Sequence, residues 1–432
     1  MGFKDNFLWG TSTSATQIEG AYLQDGKSLS VWDALSYDGR IKNNETTCVA
    51  CDHYNRYKED IALMRKIGVN SYRFSINWAR VVVDAKGTIN EKGLAFYNDL
   101  VDELLKADIQ PMVTLYHWDL PMWMHDRGGW KNPEVVDYFL YYVDVVVKAL
   151  SDRVKYWITF NEPQCFVEYG YGWGVHAPFE KNPRAEVDKI SRNVMLAHGR
   201  AVSLMREAAK QPLQISFSPA NYTTCPKDES LEELERAKKI TFDGTNVDSV
   251  SYWSDPIVLG KRAMGQEFLS DEDLKVIAQP LDFYSYNIYH AIQDKENPRF
   301  YVGMPKTANV GWPITPECLY WAAKYYAERY QLPIIVTENG MANIDYVMSD
   351  GCVHDPQRSD FIKTYLQALK KASDEVDVVG YYYWSFIDNF EWAQGYDARF
   401  GLVYVDYSTQ KRTIKDSAYV YRDIIQSNGE NI

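Results

Sequence analysis

Two glutamates in this sequence stand at the ends of short apolar runs. The run at 157–160 leads through Asn161 to Glu162, and the run at 333–337 leads to Glu338. A single glutamate in such a place more often caps a helix or pairs with a surface arginine. Two carboxyl groups held opposite each other could instead divide a reaction between them, one donating a proton while the other attacks or stabilises a cation. The elements around them must decide between these interpretations.

Short β-rich runs alternate with amphipathic stretches along the whole chain, which predicts a parallel sheet with crossover helices. The predicted strands are 7–13, 71–76, 111–118, 156–161, 214–218, 282–289, 333–337 and 378–385. The predicted helices are 57–67, 93–107, 133–150, 187–208, 316–330, 356–372 and 417–425. Eight strand–helix units that close on each other form an α/β fold, the (β/α)₈ TIM barrel, with its active site at the C-terminal ends of the strands. No repeat or linker divides the chain, so we expect a single domain over 1–432.

In such a barrel the fourth and seventh strands would deliver Glu162 and Glu338 to the same mouth. Two carboxyl groups facing each other there are what cleavage of a glycosidic bond requires. We expect burial and mutual repulsion to hold a proton on Glu162 while Glu338 stays ionised.

Composition narrows the range of ligands that the protein could bind. The chain has 13 Trp, 33 Tyr and 17 Phe, and aromatic faces suit sugars, although most of these rings must pack the core. The net charge of −13 argues against nucleic acid as a partner. The sequence shows neither a membrane span nor a secretory apolar region at its start, which predicts a cytoplasmic protein without a membrane partner.

Metal chemistry is not expected from the histidine pattern. None of the seven histidines stands at ligand spacing from another, so we predict no metal. Cys48 and Cys51 form a CxxC pair without a second pair or a nearby histidine, and we expect reduced thiols there. His117, at a strand end before Trp118, is interpreted as a sugar-binding residue.

Several segments stand in the order of a known family. These are the motifs Thr-Phe-Asn-Glu-Pro at 159–163 and Thr-Glu-Asn-Gly at 337–340, with the blocks at 7–10, 17–20, 72–76, 115–121 and 400–406. Over nearly its whole length the chain therefore resembles glycoside hydrolase family 1, the β-glucosidase family. The resemblance implies that Glu338 is the nucleophile and Glu162 the acid/base of a retaining double displacement without a cofactor.

The resemblance also implies a sugar pocket, in which Arg73 and Tyr289 hold the nucleophile. The implied substrate-binding residues are Gln17, His117, Trp118, Asn161, Asn287, Tyr289, Trp312, Trp384, Glu391, Trp392 and Phe400. Gln164 departs from the family, which often has tryptophan after the Asn-Glu-Pro motif, so the leaving-group side is the less defined one.

The activity implied is that of an exo-acting β-glucosidase, which releases terminal non-reducing β-D-glucose from small β-glucosides or cello-oligosaccharides. Side activity on β-galactosides or β-fucosides, and assembly as a homo-oligomer, stay open. The alternatives are a 6-phospho-β-glucosidase, a non-catalytic sugar-binding protein on the same barrel, and an inverting hydrolase. A carboxyl group at Glu391, where phosphoglycosidases have serine, favours a neutral sugar.

Overall fold

A computed structural model describes residues 2–37, 39–244, 247, 249–297, 299 and 303–432. Its eight parallel strands are β1 (Leu8–Ser12), β2 (Ser71–Ser75), β3 (Gln110–Tyr116), β4 (Tyr156–Asn161), β5 (Gln214–Ser218), β6 (Tyr284–Asn287), β7 (Ile334–Asn339) and β8 (Val378–Trp384). They lie in the order β5-β4-β3-β2-β1-β8-β7-β6. The first strand thus pairs with both β2 and β8, and the predicted (β/α)₈ barrel is confirmed.

Fourteen α-helices are described around and above the barrel. They are α1 (Ala15–Ile18), α2 (Val31–Leu35), α3 (His53–Ile67), α4 (Trp78–Val81), α5 (Glu91–Lys106), α6 (Met122–His125), α7 (Val135–Leu150), α8 (Arg184–Ala208), α9 (Leu231–Phe242), α10 (Val250–Ser254), α11 (Asp271–Ile277), α12 (Glu317–Tyr330), α13 (Pro356–Ser373) and α14 (Asp416–Gln426). None of these helices is long and apolar enough to cross a membrane.

A seam between β5 and β6 closes the barrel with a few hydrogen bonds. The amide of Asp282 donates to the carbonyl of Ile215 at 3.1 Å, and that of Asn287 donates to Pro219 at 2.9 Å. The amide of Asn221 in turn donates to the carbonyl of Asn287 at 2.8 Å. The last contacts of the seam therefore lie at the mouth of the barrel.

The sequence prediction missed two features of the connections. It placed no helix between β5 and β6, where α9, α10 and α11 lie, because half of the residues of α9 are charged and the other two helices are only five and seven residues long. It also missed an antiparallel hairpin of β9 (Val403–Asp406) and β10 (Lys411–Ile414).

The predicted end of the seventh strand was two residues early. β7 continues to Asn339, because the amide of Ile288 donates to the carbonyl of Glu338 at 2.9 Å and extends the pairing with β6. Glu338 is thus part of the strand, and its backbone is fixed by the sheet.

A buried network of ion pairs joins the loop after β7 to the elements that follow it. Asp345 contacts both Arg358 and Lys415 at 2.6 Å, and Asp388 contacts Lys415 at 2.6 Å. Asp355 pairs with Arg358 as well. We call the carboxylates and cations of this region, with Arg399 against Asp388 at 2.7 Å, the buried ion network.

Candidate active site

Residues from the C-terminal ends of the strands meet in one cavity of about 350 Å³. Its walls include Glu162, Glu338, His117, Trp118, Asn287, Tyr289, Trp312, Trp384, Glu391 and Trp392, all predicted from sequence as site residues. The other predicted residues, Gln17, Arg73, Asn161 and Phe400, lie behind this surface and contact it.

Glu338 is held by two donors, one on each carboxylate oxygen. Arg73 Nη1 donates to Oε1 at 2.6 Å, and the hydroxyl of Tyr289 donates to Oε2 at 2.7 Å. Burial raises the pKa of Glu338 above its ordinary value, while the charge of Arg73 and the hydrogen bond from Tyr289 lower it. The ion pair therefore favours a carboxylate with a fixed orientation.

Glu162 has different partners. Asn287 Nδ2 donates to Oε1 at 2.9 Å, and the thiol of Cys165 lies 3.2 Å from Oε2. Its backbone is in the left-handed region at φ 43°, and its amide donates a hydrogen bond of 2.7 Å to the carbonyl of Ser218. Burial, followed by repulsion from Glu338, raises the pKa of Glu162 to about 7. Because Nδ2 of Asn287 can only donate, Oε2 is the better place for a proton.

Asn161 links the supports of the two glutamates. Its Oδ1 accepts from Arg73 Nη2 at 2.6 Å and from Asn287 Nδ2 at 2.9 Å. Its Nδ2 group then faces Nε2 of His117 at 3.0 Å. One side chain therefore fixes the cation beside Glu338 and the amide beside Glu162.

His117 has an unused donor in the cavity wall. Burial, and then the nearby charge of Arg73, lowers the pKa of His117 well below its ordinary value, so the ring is neutral. Since Nε2 accepts from Asn161, the ring proton lies on Nδ1. That buried nitrogen has no partner among the described residues, and a ligand hydroxyl could satisfy it.

Glu391 forms the polar end of the cavity, and Gln17 supports it from behind. Gln17 Nε2 donates to the carbonyl of Phe390 at 2.8 Å and to Asn389 Oδ1 at 3.0 Å, and lies 3.5 Å from Glu391 Oε2. Burial, followed by repulsion from Glu338 and Glu162, raises the pKa of Glu391 to about 8. No Lys or Arg of the described residues pairs with this carboxyl group, which has capacity for hydroxyl groups.

Aromatic rings line two sides. Trp384 and Trp392 both stack on His117, with centroids 5.9 and 5.8 Å away and interplanar angles of 20°. On the other side Trp312 packs against Tyr289 at 4.8 Å, with Phe400 behind it at 5.8 Å. Phe400 is 1% exposed and supports the wall rather than forming it.

Among the cavity-lining residues that sequence reasoning missed are Cys165, Tyr169 and His176. They lie on or next to a π-helical segment, Cys165–Gly172, that follows Glu162. A π-helical turn has no simple periodic signature, but proximity of Cys165 to Glu162 in the chain was a usable signal.

A barrel with two opposed carboxyl groups, one held as an anion and the other disposed to carry a proton, has the site of a glycoside-cleaving enzyme. The model of glycosyl hydrolase family 1 matches residues 1–430. The chain belongs to this family.

Relatives match over essentially the whole chain. Beta-glucosidase A of Thermotoga maritima is 41% identical over 99% of this chain and 98% of its own length. Aryl-phospho-beta-D-glucosidase BglC of Bacillus subtilis is 36% identical over 100% of this chain and 98% of its own. The solved structure of the Thermotoga maritima beta-glucosidase with glucoimidazole has a TM-score of 0.90, at 40% identity and 99% coverage of both chains.

Proposed function

We propose that this protein is a retaining, exo-acting β-glucosidase that releases terminal β-D-glucose from small β-glucosides or cello-oligosaccharides. The observation that carries the proposal is the unequal support of the two glutamates. Arg73 and Tyr289 bind Glu338, whereas Glu162 has an amide and a thiol as partners and a pKa of about 7. Each carboxyl group thus suits a different protonation state at the same pH.

In the first step Glu162 gives its proton to the glycosidic oxygen while a Glu338 oxygen attacks the anomeric carbon. The bond to the leaving group breaks, the alcohol departs, and a glycosyl ester forms on Glu338. Glu162, now ionised, takes a proton from water, whose oxygen attacks the same carbon and releases Glu338. The sugar leaves with its original β-configuration.

The choice of glucose rests on the polar end of the cavity and on the relatives. His117 offers a donor and Glu391 offers acceptors for hydroxyl groups, and Trp384 offers an apolar face. One of the relatives reported above is the beta-glucosidase of Thermotoga maritima. Solved structures of that protein contain glucoimidazole and deoxynojirimycin.

A 6-phosphorylated substrate is the rival, since one relative is named for it. A phosphate dianion needs cations. The described residues that line the cavity include three glutamates and no Lys or Arg. This charge pattern favours a neutral sugar.

The test is a substrate panel of an aryl β-D-glucoside, its 6-phosphate, the aryl β-galactoside and β-fucoside, and cellobiose. We expect kcat/KM for the glucoside to exceed that of the 6-phosphate by at least about 100-fold. The first product, observed by NMR before mutarotation, should be β-glucose. An α-anomer would indicate inversion, and absence of turnover would indicate a binding protein. Glu338→Gln, purified in parallel, controls for contaminating activity.

A further inference from the structure

Three potential metal ligands lie together outside the active site, on the loop between β7 and α13. They are Asp350, Cys352 and His354, and their ligand atoms all lie within 4.8 Å of one another. Asp350 lies in a turn, and Cys352 and His354 follow it in the irregular part of the loop. Sequence reasoning searched for pairs of histidines and so missed this mixed set.

The histidine is already oriented as a metal ligand would be. Nδ1 of His354 contacts Oδ2 of Asp416 at 2.5 Å, and Nε2 contacts Oδ2 of Asp350 at 2.8 Å. Histidines that bind metals commonly use the second ring nitrogen to contact a carboxylate, which fixes the ring. Asp416 can serve in that way, leaving Nε2 directed at Asp350.

The loop that carries these side chains is fixed at both ends. Asp345 and Asp355 belong to the buried ion network. Within the loop the amide of Met348 donates to the carbonyl of Cys352 at 2.8 Å, through a turn in which Gly351 has φ 84°. The ligand positions are therefore set by backbone that other contacts hold in place, which lowers the entropy cost of binding.

The amide of Asp416 donates to the carbonyl of Val353 at 3.1 Å. The first residue of α14 thus lies against the ligand loop, and a metal there would connect two segments that are 62 residues apart in sequence.

We propose that Asp350, Cys352 and His354 form a Zn²⁺ site. The thiolate of Cys352, Nε2 of His354 and a carboxylate oxygen of Asp350 would bind the ion, water would take the fourth position, and Asp416 would orient the imidazole. One sulfur, one nitrogen and one oxygen ligand suit Zn²⁺ better than Mg²⁺ or Ca²⁺. Tetrahedral binding needs ligand atoms roughly 3.3–3.8 Å apart, which exposed side chains reach by small rotations. Binding breaks the contact between Nε2 and Asp350 and displaces the protons of the thiol and of Nε2 into water.

This site is separate from the proposed catalysis. None of its residues lines the cavity that holds Glu162 and Glu338. The bound ion would act as a clamp between the loop and α14, and would stabilise the folded state without entering the reaction.

The test uses the full chain after treatment with a chelator, titrated with Zn²⁺ by calorimetry and with Co²⁺ by absorption spectroscopy. We expect one ion per chain, a thiolate-to-cobalt charge-transfer band, and a rise in Tm with Zn²⁺. Cys352→Ser and His354→Ala should each weaken binding at least about tenfold, and Cys352→Ser should abolish the band. Asp416→Asn should weaken binding about tenfold through the orientation of His354.

Cys48→Ser is the matched control, since Cys48 is another partly accessible thiol and its loss should change nothing. All these side chains are partly exposed, so the variants should fold, which the Tm of the metal-free proteins checks. The proposal is overturned if Zn²⁺ shows no saturable 1:1 binding, or if Cys352→Ser and His354→Ala bind it as the parent does. Neither result depends on glycosidase activity.

Discussion

The molecule buries three carboxyl groups in each of two regions, with opposite results. In the buried ion network, Asp345, Asp355 and Asp388 are matched by Arg358, Lys415 and Arg399. Burial raises the pKa of Asp345, but the charges of Lys415 and Arg358 lower that pKa below its usual value.

The cavity contains Glu162, Glu338 and Glu391. Arg73 forms an ion pair with Glu338 and with neither of the other two. Among the described residues, no Lys or Arg is within ion-pair distance of Glu162 or Glu391, and their pKa values rise to about 7 and 8. Buried carboxylates that have cationic partners stabilise the fold. Buried carboxyl groups without such partners have raised pKa values and can take part in proton transfer.

The largest contrast should come from removing one carboxylate in each region. Glu338→Gln should lower kcat/KM by about 10⁴-fold or more, because it removes the nucleophile. Its cost in unfolding free energy should be smaller than that of Asp345→Asn, because Arg73 loses a buried partner while the repulsion on Glu162 and Glu391 is relieved. Asp345→Asn should leave kcat nearly unchanged but cost about 3–5 kcal/mol of unfolding free energy, because Lys415 and Arg358 lose a buried partner. Steady-state kinetics and urea unfolding measure the two effects, and a reversed pattern would refute the comparison.

Glu162→Gln should have a smaller effect that depends on the leaving group. Alkyl glucosides should lose about 10²–10⁴-fold in kcat/KM and activated aryl glucosides far less, because a good leaving group needs little protonation. In the parent enzyme the reactive form carries the proton, so kcat/KM should fall as the pH rises through about 7. That decline should vanish in the variant, and equal losses on both substrates would assign the acid elsewhere.

Glu391→Gln tests whether unbalanced charge destabilises the cavity. The pKa of Glu391 is raised in the fold, so the folded state binds more protons than the unfolded state between about pH 4.5 and 8, and stability falls as the pH rises through that window. The variant should therefore gain about 1 kcal/mol at pH 8 and almost nothing at pH 5, since water in the cavity screens part of the charge. Glu391→Asp, which keeps the charge, is the control in the same denaturant titrations.

Cys165→Ala should have the smallest effect. Its thiol hydrogen bond favours the ionised form of Glu162, so its loss should move the basic limb of the kcat/KM profile to higher pH by about a few tenths of a unit. Cys165→Ser, with a stronger donor, should move it the other way. Identical profiles for both variants would mean that the contact does not influence the acid.

Sequence reasoning predicted the barrel because each strand is a short apolar run whose period differs from that of the neighbouring helices. β4 and β5 have the bounds expected from sequence. It failed for α9, half of whose residues are charged, and for the end of β7, which depends on pairing with β6. Those contacts are decided by tertiary structure.

Motifs in the sequence identified the proposed site residues. They did not show which contacts and charges set the properties of those residues. The order of residues cannot reveal that Asn161 joins Arg73 to Asn287, or that Glu391 lacks a cation, because both facts depend on distances between different strands. Asp350, Cys352 and His354 are close in the sequence, but the contact between Asp416 and the imidazole of His354 depends on tertiary structure.

Asn287 connects the seam of the barrel to the active site. Its amide and carbonyl make two of the hydrogen bonds that join β5 to β6, and its side chain holds Glu162. Any opening motion at this junction must therefore displace the acid from its partner. Amide hydrogen exchange at Asn221 and Asn287 would therefore measure the population of a locally open state in the free enzyme. In that state β5 and β6 are separated and Glu162 has lost its partner.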